Sequence, residues 1–224
     1  MATPYSVHLA EEVTSTQDVA AALFAGQPIL VIAQRQTAGR GRSGQVWATA
    51  PRALAASLAV LPGWPEATWP LVPLVAGVAA ARSVGGTCKL KWPNDLMIGD
   101  LKVGGLLAEA SPERFVIGCG INLYWPGAPE GVGSIYDQDP GPAAVEAMAR
   151  AWADELSARL ALGPRGWDPD EYRDLSDTLG RSISWEPDGH GQAVDIADDG
   201  FLIVKQQDHL VRLSAGEIRH LRPI

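Results

Sequence analysis

Residues 89–123 of this 224-residue chain read KLKWPNDLMIGDLKVGGLLAEASPERFVIGCGINL and decide its fold class. The stretch alternates short β-branched and apolar runs with glycine and polar turns, a pattern that is typical of β-strands. It predicts strands at residues 88–92, 102–110 and 114–123, the second of which follows the turn Gly99-Asp100. The centre of the chain is therefore expected to be β-structure.

Helical and strand patterns alternate on either side of this stretch. Further strands are predicted at residues 28–33 and 54–61, and helices at 18–25, 69–84, 143–162 and 170–179. The hydroxyl side chains of Ser15 and Thr16 precede the first helix as possible caps, and Gly26 ends it. This mixture predicts an α+β domain over residues 1–180.

The pattern changes after residue 180 to short alternating strands. They are predicted at residues 183–185, 192–196, 202–205 and 210–213, and the turns Asp188-Gly189 and Asp199-Gly200 separate them. So short a segment has too little core to be stable alone. We expect residues 181–224 to form a small β-barrel that packs on the main domain.

The composition is that of an ordinary globular protein, with 46% hydrophobic and 20% charged residues. The net charge of −8 argues against a general grip on nucleic acid, which needs clustered lysine and arginine. No apolar run reaches the roughly 18 residues that span a bilayer, and the N-terminus lacks signal-peptide features, so we expect a cytoplasmic protein. Cys88 and Cys119 have no partner at metal-ligand spacing and are expected to be buried thiols.

A glycine-rich loop with two arginines follows the predicted strand at residues 28–33. Gly39, Gly41 and Gly44 formally spell the dinucleotide-binding fingerprint, but no helix start and no acidic residue follow at the required spacing. The loop instead offers Arg40 and Arg42 as a clamp for phosphate or carboxylate, with Trp47 as an aromatic platform. A solvated surface turn is the alternative.

Three polar motifs accompany the predicted strands of the central stretch. Lys91-Trp92-Pro93-Asn94-Asp95 ends one strand, where polar groups can orient a cation or a magnesium-bound phosphate, although an Asn-Asp turn that caps its own backbone is the alternative. Lys102 precedes Gly104 and Gly105, and a lysine so placed can offset developing phosphoryl charge, or can simply protect a strand edge. The motif Gly118-Cys119-Gly120-Ile121-Asn122 interrupts the last strand with two glycines, and the Asn122 amide at its end could read a base, hold a phosphate or simply cap a turn.

In order and spacing, these motifs resemble the core motifs of biotin–protein ligases, over residues 15 to 123 or so. The resemblance implies a mixed β-sheet flanked by helices, as in class II synthetases, followed by a small SH3-like β-barrel. It also implies an AMP-forming enzyme that uses ATP, with Mg²⁺, to make biotinyl-5'-AMP. The biotin would then pass to a lysine of a biotin carboxyl carrier protein, for example in acetyl-CoA carboxylase.

The resemblance also assigns roles residue by residue. Lys102, Arg40 and Arg42 match the catalytic positions, and no metal ligand is assigned, although Asp95 is suspected. The positions that match substrate contacts are Ser15, Thr16, Gln17, Gln36, Gly39, Arg40, Gly41, Arg42, Trp47, Lys91, Asn94, Asp95, Lys102, Gly104, Gly105 and Asn122.

Two departures and two alternatives accompany this hypothesis. Gln45 stands where many relatives have a basic residue, which puts one triphosphate contact in doubt, and there is no room for the helix-turn-helix domain of the regulatory relatives, so no DNA binding is expected. Relatives occur as monomers and as dimers, so a homodimer is possible. The alternatives are a lipoate or octanoate ligase and a non-catalytic binding module.

Overall fold

A seven-stranded sheet is the framework of the larger part of the protein. The computed structural model describes residues 4–61, 63–86, 88–214 and 218–220, so the outermost residues of both predicted domains lie outside it. The strands in chain order are β1 (Ser6–Val13), β2 (Ile29–Gln36), β3 (Arg52–Val60), β4 (Lys89–Lys91), β5 (Asp95–Ile98), β6 (Leu101–Ser111) and β7 (Arg114–Tyr124). Their order in the sheet is β1-β2-β3-β7-β6-β5-β4.

The sheet is mixed, as expected. β1 pairs with β2 in parallel, and every other neighbouring pair is antiparallel. Two strands were not predicted. β1 is an exposed edge strand whose Leu9 is 56% exposed, so it has no clean alternation of apolar residues. β5 begins at Asp95, inside the motif that was interpreted as a turn.

Helices cover both faces of the sheet, which confirms the predicted fold class. They are α1 (Thr16–Leu23), α2 (Val72–Val84), α3 (Pro142–Ala161) and α4 (Pro169–Leu175). The main core lies between the sheet and α2 and α3, where the indole N–H of Trp152 donates to the carbonyl of Ala76 at 3.3 Å. A smaller core, formed by Ala20, Val31, Ala59 and Val116, lies under α1 on the opposite face.

One segment within the described residues, Glu66–Val84, is long and apolar enough to cross a membrane. It consists of a 3₁₀ helix (Glu66–Leu71) that continues into α2. Most of α2 is buried, because it packs against α3 on one side and strands of the sheet on the other. Its apolar character is therefore explained by its place in the core.

A second, five-stranded antiparallel sheet follows the main one. Its strands are β8 (Ser182–Trp185), β9 (Gly189–Ile196), β10 (Leu202–Gln206), β11 (His209–Leu213) and β12 (Ile218–His220), in the order β11-β10-β9-β8-β12. Between the described residues of β11 and β12 no pairing is present, so the predicted barrel is seen as an open sheet. β12, which was not predicted, extends the sheet at one edge.

The second sheet contacts the main domain through Trp92. The backbone N–H of Trp92 donates to the hydroxyl of Thr178 at 2.9 Å, and its indole N–H donates to the carbonyl of Gly200 at 3.1 Å. Nearby, the indole N–H of Trp167 donates to the carbonyl of Asp198 at 2.7 Å. Buried residues of both parts belong to one continuous core.

Candidate active site

A cleft of about 320 Å³ opens on the face of the main sheet that carries α1. On this face Ser57 of β3, Gly118 and Gly120 of β7 and Gly105 of β6 line the cleft. Because these side chains are small or absent, the sheet leaves space where α1 no longer covers it. Gly105 lies directly opposite Gly120 in the pairing of β6 with β7, so the two glycines form a flat floor.

Most of the residues singled out from the sequence line this cleft. Those that do are Ser15, Thr16, Gln17, Gln36, Arg40, Gly41, Arg42, Trp47, Lys91, Asn94, Asp95, Lys102 and Gly105. Residues 15 to 47 and 91 to 105 are distant in sequence and meet only through the sheet. The fold thus brings the four motifs to one place.

Three predicted site residues do not line the cleft. Gly39 lies behind the glycine loop, where its carbonyl accepts from the N–H of Trp47 at 2.9 Å. Gly104 faces the core, because an added Cβ would lie 2.8 Å from a methyl carbon of Leu96. Asn122 is 2% exposed and donates its amide to the carbonyl of Gly133 at 3.0 Å. In this structure Asn122 fastens the segment after β7.

One end of the cleft carries a chain of hydroxyl and amide groups. The hydroxyl of Ser57 donates to that of Thr16 at 2.8 Å. The Oε1 atom of Gln36 accepts from both the hydroxyl and the backbone N–H of Thr16, at 3.2 and 2.8 Å. With its oxygen occupied, Gln36 directs its NH₂ group the other way, toward Gly39. Ser15 is buried beside this chain as the N-cap residue of α1, but its side chain makes no cap hydrogen bond, so its hydroxyl is not the cap that the sequence suggested.

Gln17 presents the opposite polarity at the same end of the cleft. Its NH₂ group donates to the carboxylate of Glu109 at 3.0 Å and to the carbonyl of Val116 at 3.1 Å. Its buried Oε1 atom has no hydrogen-bond partner within the described part of the chain. That oxygen lies 2.8 Å from the position that a Cβ on Gly118 would take. A donor on Gln36 and an acceptor on Gln17 therefore lie at one end.

The other end of the cleft is cationic. The Nζ atom of Lys102 lies 2.6 Å from Oδ1 of Asp95 and 5.8 Å from the ring centre of Trp47. The backbone of Lys102 is held by the segment that follows β7, since its N–H donates to the carbonyl of Gly131 and its carbonyl accepts from Gly133, both at 2.9 Å. This backbone pairing fixes where the lysine side chain starts.

The glycine loop closes over the floor between these two ends. An added Cβ on Gly120 would lie 2.8 Å from the indole of Trp47, so the ring rests directly on the glycine floor. Arg42 donates to Oδ1 of Asn94 at 2.9 Å. Arg40 is paired with Asp18 at 2.7 Å and also with Glu109. Each arginine thus links the loop to a different element.

The two cysteines are not suited to act as nucleophiles. Burial raises the pKa of the Cys88 thiol to about 11, and burial also raises the pKa of Cys119. Neither thiol is therefore poised as a thiolate nucleophile. Across the described ranges, no three or more His, Cys, Asp or Glu side chains form a metal-binding cluster.

Sequence reasoning gave no role to three residues that contact predicted site residues: Ser57, Asp18 and Glu109. Ser57 stands in an alanine-rich strand, where a lone serine carries no signal of its own. Glu109 lies in the strand predicted at residues 102–110 and was given no role, and Asp18 was interpreted only as part of a helix. Their roles depend on which strands and helices become neighbours in the fold.

Each of the two parts of the chain matches a known protein family. Residues 9–122 match the biotin/lipoate A/B protein ligase family, and residues 187–221 match the biotin protein ligase C-terminal domain. Over 215 residues the chain is 34% identical to the biotin–[acetyl-CoA-carboxylase] ligase of Mycobacterium tuberculosis, which covers 87% of this chain and 79% of that protein. This chain belongs to the biotin–protein ligases.

Solved structures of biotin–protein ligases share its fold. The Aquifex aeolicus enzyme in complex with biotin and ATP superimposes with a TM-score of 0.83 at 23% identity, over 96% of this chain and 99% of that one. The Leishmania major enzyme in complex with biotinyl-5-AMP superimposes with a TM-score of 0.64 at 26% identity, over 97% and 99% of the two chains. The resemblance deduced from the motifs is confirmed.

Proposed function

We propose that this biotin–protein ligase acts in two steps within the one cleft. In the first, a carboxylate oxygen of biotin attacks the α-phosphorus of ATP, which gives biotinyl-5'-AMP and releases pyrophosphate. In the second, the neutral amine of a carrier lysine attacks the acyl carbon, loses its proton and releases AMP. No covalent bond to the enzyme is needed, in keeping with the absence of a poised thiolate at either cysteine.

The observation that carries this proposal is the mixed polarity of the Gln17 and Gln36 end. A cyclic urea offers a carbonyl acceptor and N–H donors, and a site with one free donor and one free acceptor complements both. Gln36 supplies the donor because Thr16 occupies its oxygen, and Gln17 supplies the acceptor because Glu109 and Val116 occupy its NH₂ group. A saturated acyl chain would leave the buried Oε1 atom of Gln17 unsatisfied, which is costly. The site therefore favours biotin over octanoate or lipoate.

The cationic end suits the carboxylate and the α-phosphate. Lys102 is 38% exposed at its side chain and is held at its backbone, so its ammonium group can leave Asp95 for a substrate anion. Such a cation stabilises negative charge that develops during phosphoryl transfer. Arg40 and Arg42 of the glycine loop would close over the intermediate and exclude water. Trp47, Lys91 and Asn94 would lie along the nucleotide.

The donor set around Lys102 fits a magnesium ion that arrives with ATP. Magnesium commonly uses one or two carboxylates together with substrate phosphates. Asp95 is the carboxylate that lines this end of the cleft, and it would hold the ion once Lys102 has turned to the substrate. The ion would supply neutralisation of triphosphate charge.

The carrier protein and the cellular setting complete the proposal. The acceptor would be a lysine of a biotin carboxyl carrier protein or domain, such as that of acetyl-CoA carboxylase. The enzyme would work in the cytoplasm, with no DNA and no membrane as partner, and could form a homodimer.

Pyrophosphate release from Mg-ATP tests the first step without any carrier. Biotin, lipoate and octanoate are supplied separately, and we expect release with biotin alone. Release with lipoate or octanoate in its place would assign the chain to the other branch of its family. No pyrophosphate release with any of the three acids would favour a binding module and would overturn the proposal.

A further inference from the structure

The orientation of the Gln17 amide is fixed by two acceptors on one side. The carboxylate of Glu109 and the carbonyl of Val116 can accept hydrogen bonds but cannot donate them. Both lie at hydrogen-bond distance from the same nitrogen, 3.0 and 3.1 Å away. The NH₂ group must therefore face them, and Oε1 must face Gly118 as a free acceptor. Val116 contributes only a backbone group, so Glu109 is the side chain that sets this choice.

Glu109 divides its two oxygens between the substrate pocket and the glycine loop. Its Oε2 atom accepts from Gln17, and its Oε1 atom pairs with Arg40. Arg40 in turn pairs with Asp18 at 2.7 Å. Arg40 thus has a second carboxylate partner, whereas Gln17 has no second side-chain acceptor in the described structure. Loss of Glu109 should therefore affect the orientation of the Gln17 amide more than it affects the glycine loop, because Arg40 of that loop still pairs with Asp18.

We propose that Glu109 is a positioning residue that determines specificity. It orients Gln17 so that the Oε1 atom of Gln17 accepts a hydrogen bond from a substrate N–H group. This inference rests on the proposed function, because the N–H group in question is one of the two in the biotin ureido ring. Glu109 acts through Gln17 and is not required to touch the substrate. Without it, only the Val116 carbonyl holds the NH₂ group, so the Gln17 amide rotates more easily to set that group against the substrate N–H, donor against donor.

The test separates the acceptor of Glu109 from its charge. Glu109→Met removes both, Glu109→Gln keeps a carbonyl oxygen that can accept from Gln17, and Asp18→Asn weakens the Arg40 pairing without touching Gln17. Each variant and the wild-type protein are titrated calorimetrically with biotin and with the two isomers of biotin that are methylated at one ureido nitrogen. The readout is the ratio of the affinity for biotin to that for each methylated isomer.

We expect the wild-type protein to prefer biotin strongly over one isomer, by about tenfold or more, as the loss of a buried hydrogen bond predicts. Glu109→Met should lower that ratio by roughly fivefold, Glu109→Gln should restore most of it, and Asp18→Asn should leave it unchanged. An unaltered ratio in Glu109→Met, an equal loss in Glu109→Gln, or no wild-type discrimination between biotin and either isomer would overturn the inference. Failure of the wild-type protein to bind biotin would instead overturn the proposed function.

Discussion

Lys102 and Asp95 form an ion pair with 2.6 Å between Nζ and Oδ1 at the cationic end of the cleft. The two residues lie on adjacent strands, β6 and β5, and the side chain of Asp95 is 19% exposed. Asp95 thus holds the ammonium group of Lys102 next to the place where substrate anions would bind. Substrate binding would exchange the Asp95 carboxylate for a substrate anion, so the ammonium group would keep an anionic partner.

Replacement of Lys102 by methionine should therefore abolish most of the first half-reaction. Removal of a single group that stabilises developing charge typically costs about 100- to 1000-fold in rate. Pyrophosphate release in a single turnover measures the effect. Lys89→Met is the matched control, because Lys89 is exposed and donates to the carbonyl of Asp174 outside the cleft. Normal single-turnover release by the Lys102 variant would remove the role assigned to this residue.

Replacement of Gly118 by alanine should block the polar end of the cleft. The added methyl carbon would lie 2.8 Å from Oε1 of Gln17, closer than carbon and oxygen can approach without movement. We expect the affinity for biotin to fall at least about tenfold, measured by calorimetry. Gly63→Ala is the control, since an added Cβ there meets no atom within 4 Å. Equal affinities of the two variants would show that Gly118 does not border the biotin site.

Replacement of Glu171 by glutamine should destabilise the packing of α4 on α3. Arg159 donates to both carboxylate oxygens of Glu171, at 2.7 and 3.0 Å, and Arg82 also pairs with it at 2.8 Å. Because the side chains of Arg159 and Glu171 are only about one-sixth exposed, we expect a loss of about 2 kcal/mol in the free energy of unfolding at neutral pH. Urea denaturation measures it.

The ion pairs of Glu171 should also make the stability of the protein depend on pH. Burial raises the pKa of Glu171, but the hydrogen bonds from Arg159 and Arg82 outweigh burial and lower it below its ordinary value of 4.5. A lowered pKa in the folded state means that this stabilisation is complete above about pH 4.5 and is lost as the pH falls through the folded-state pKa. The difference between wild type and Glu171→Gln should therefore shrink in acid. A difference that stays constant down to pH 3 would contradict this assignment.

The two thiols should resist alkylation in the folded protein. Burial raises the pKa of Cys88 to about 11, so little thiolate exists at pH 8, and Cys119 is buried as well. We expect iodoacetamide to modify neither thiol at pH 8 within an hour and both in urea, as read by intact mass. Rapid modification of native protein would show that one of them is accessible.

The sequence predicted the fold class and most of the residues that line the cleft, because these depend on local patterns. Glycines, prolines and paired charges within residues 36–47 and 89–123 carry their signal without knowledge of their neighbours. The edge strand β1 was missed because it buries too little to show a pattern. β5 was missed because Asp95, its first residue, also suits a turn.

The residues around the site that were missed from the sequence were missed for a different reason. Glu109 and Gln17 are 92 residues apart and meet only because β6 and β7 lie beside α1. No local pattern encodes that meeting. The same holds for Asn122, which the resemblance assigned to the nucleotide side and whose NH₂ group donates to the carbonyl of Gly133, a contact that depends on the path of the segment after β7. The small barrel was expected from the short alternating strands and from the resemblance, and neither determines how the edge strands pair.

The two hydrogen bonds of Trp92 limit how the C-terminal part of this enzyme could be exchanged for that of a relative. The turn at residues 92–94, which leads into Asp95, is held by the hydroxyl of Thr178 and by the backbone of Gly200, which lies in the turn between β9 and β10. Gly200 also packs so closely that an added Cβ would lie 2.6 Å from a methyl carbon of Leu74 in α2. A chimera that takes its C-terminal part from a relative must therefore keep these contacts intact, or the exchange will disturb the proposed nucleotide end of the cleft, some distance from the junction.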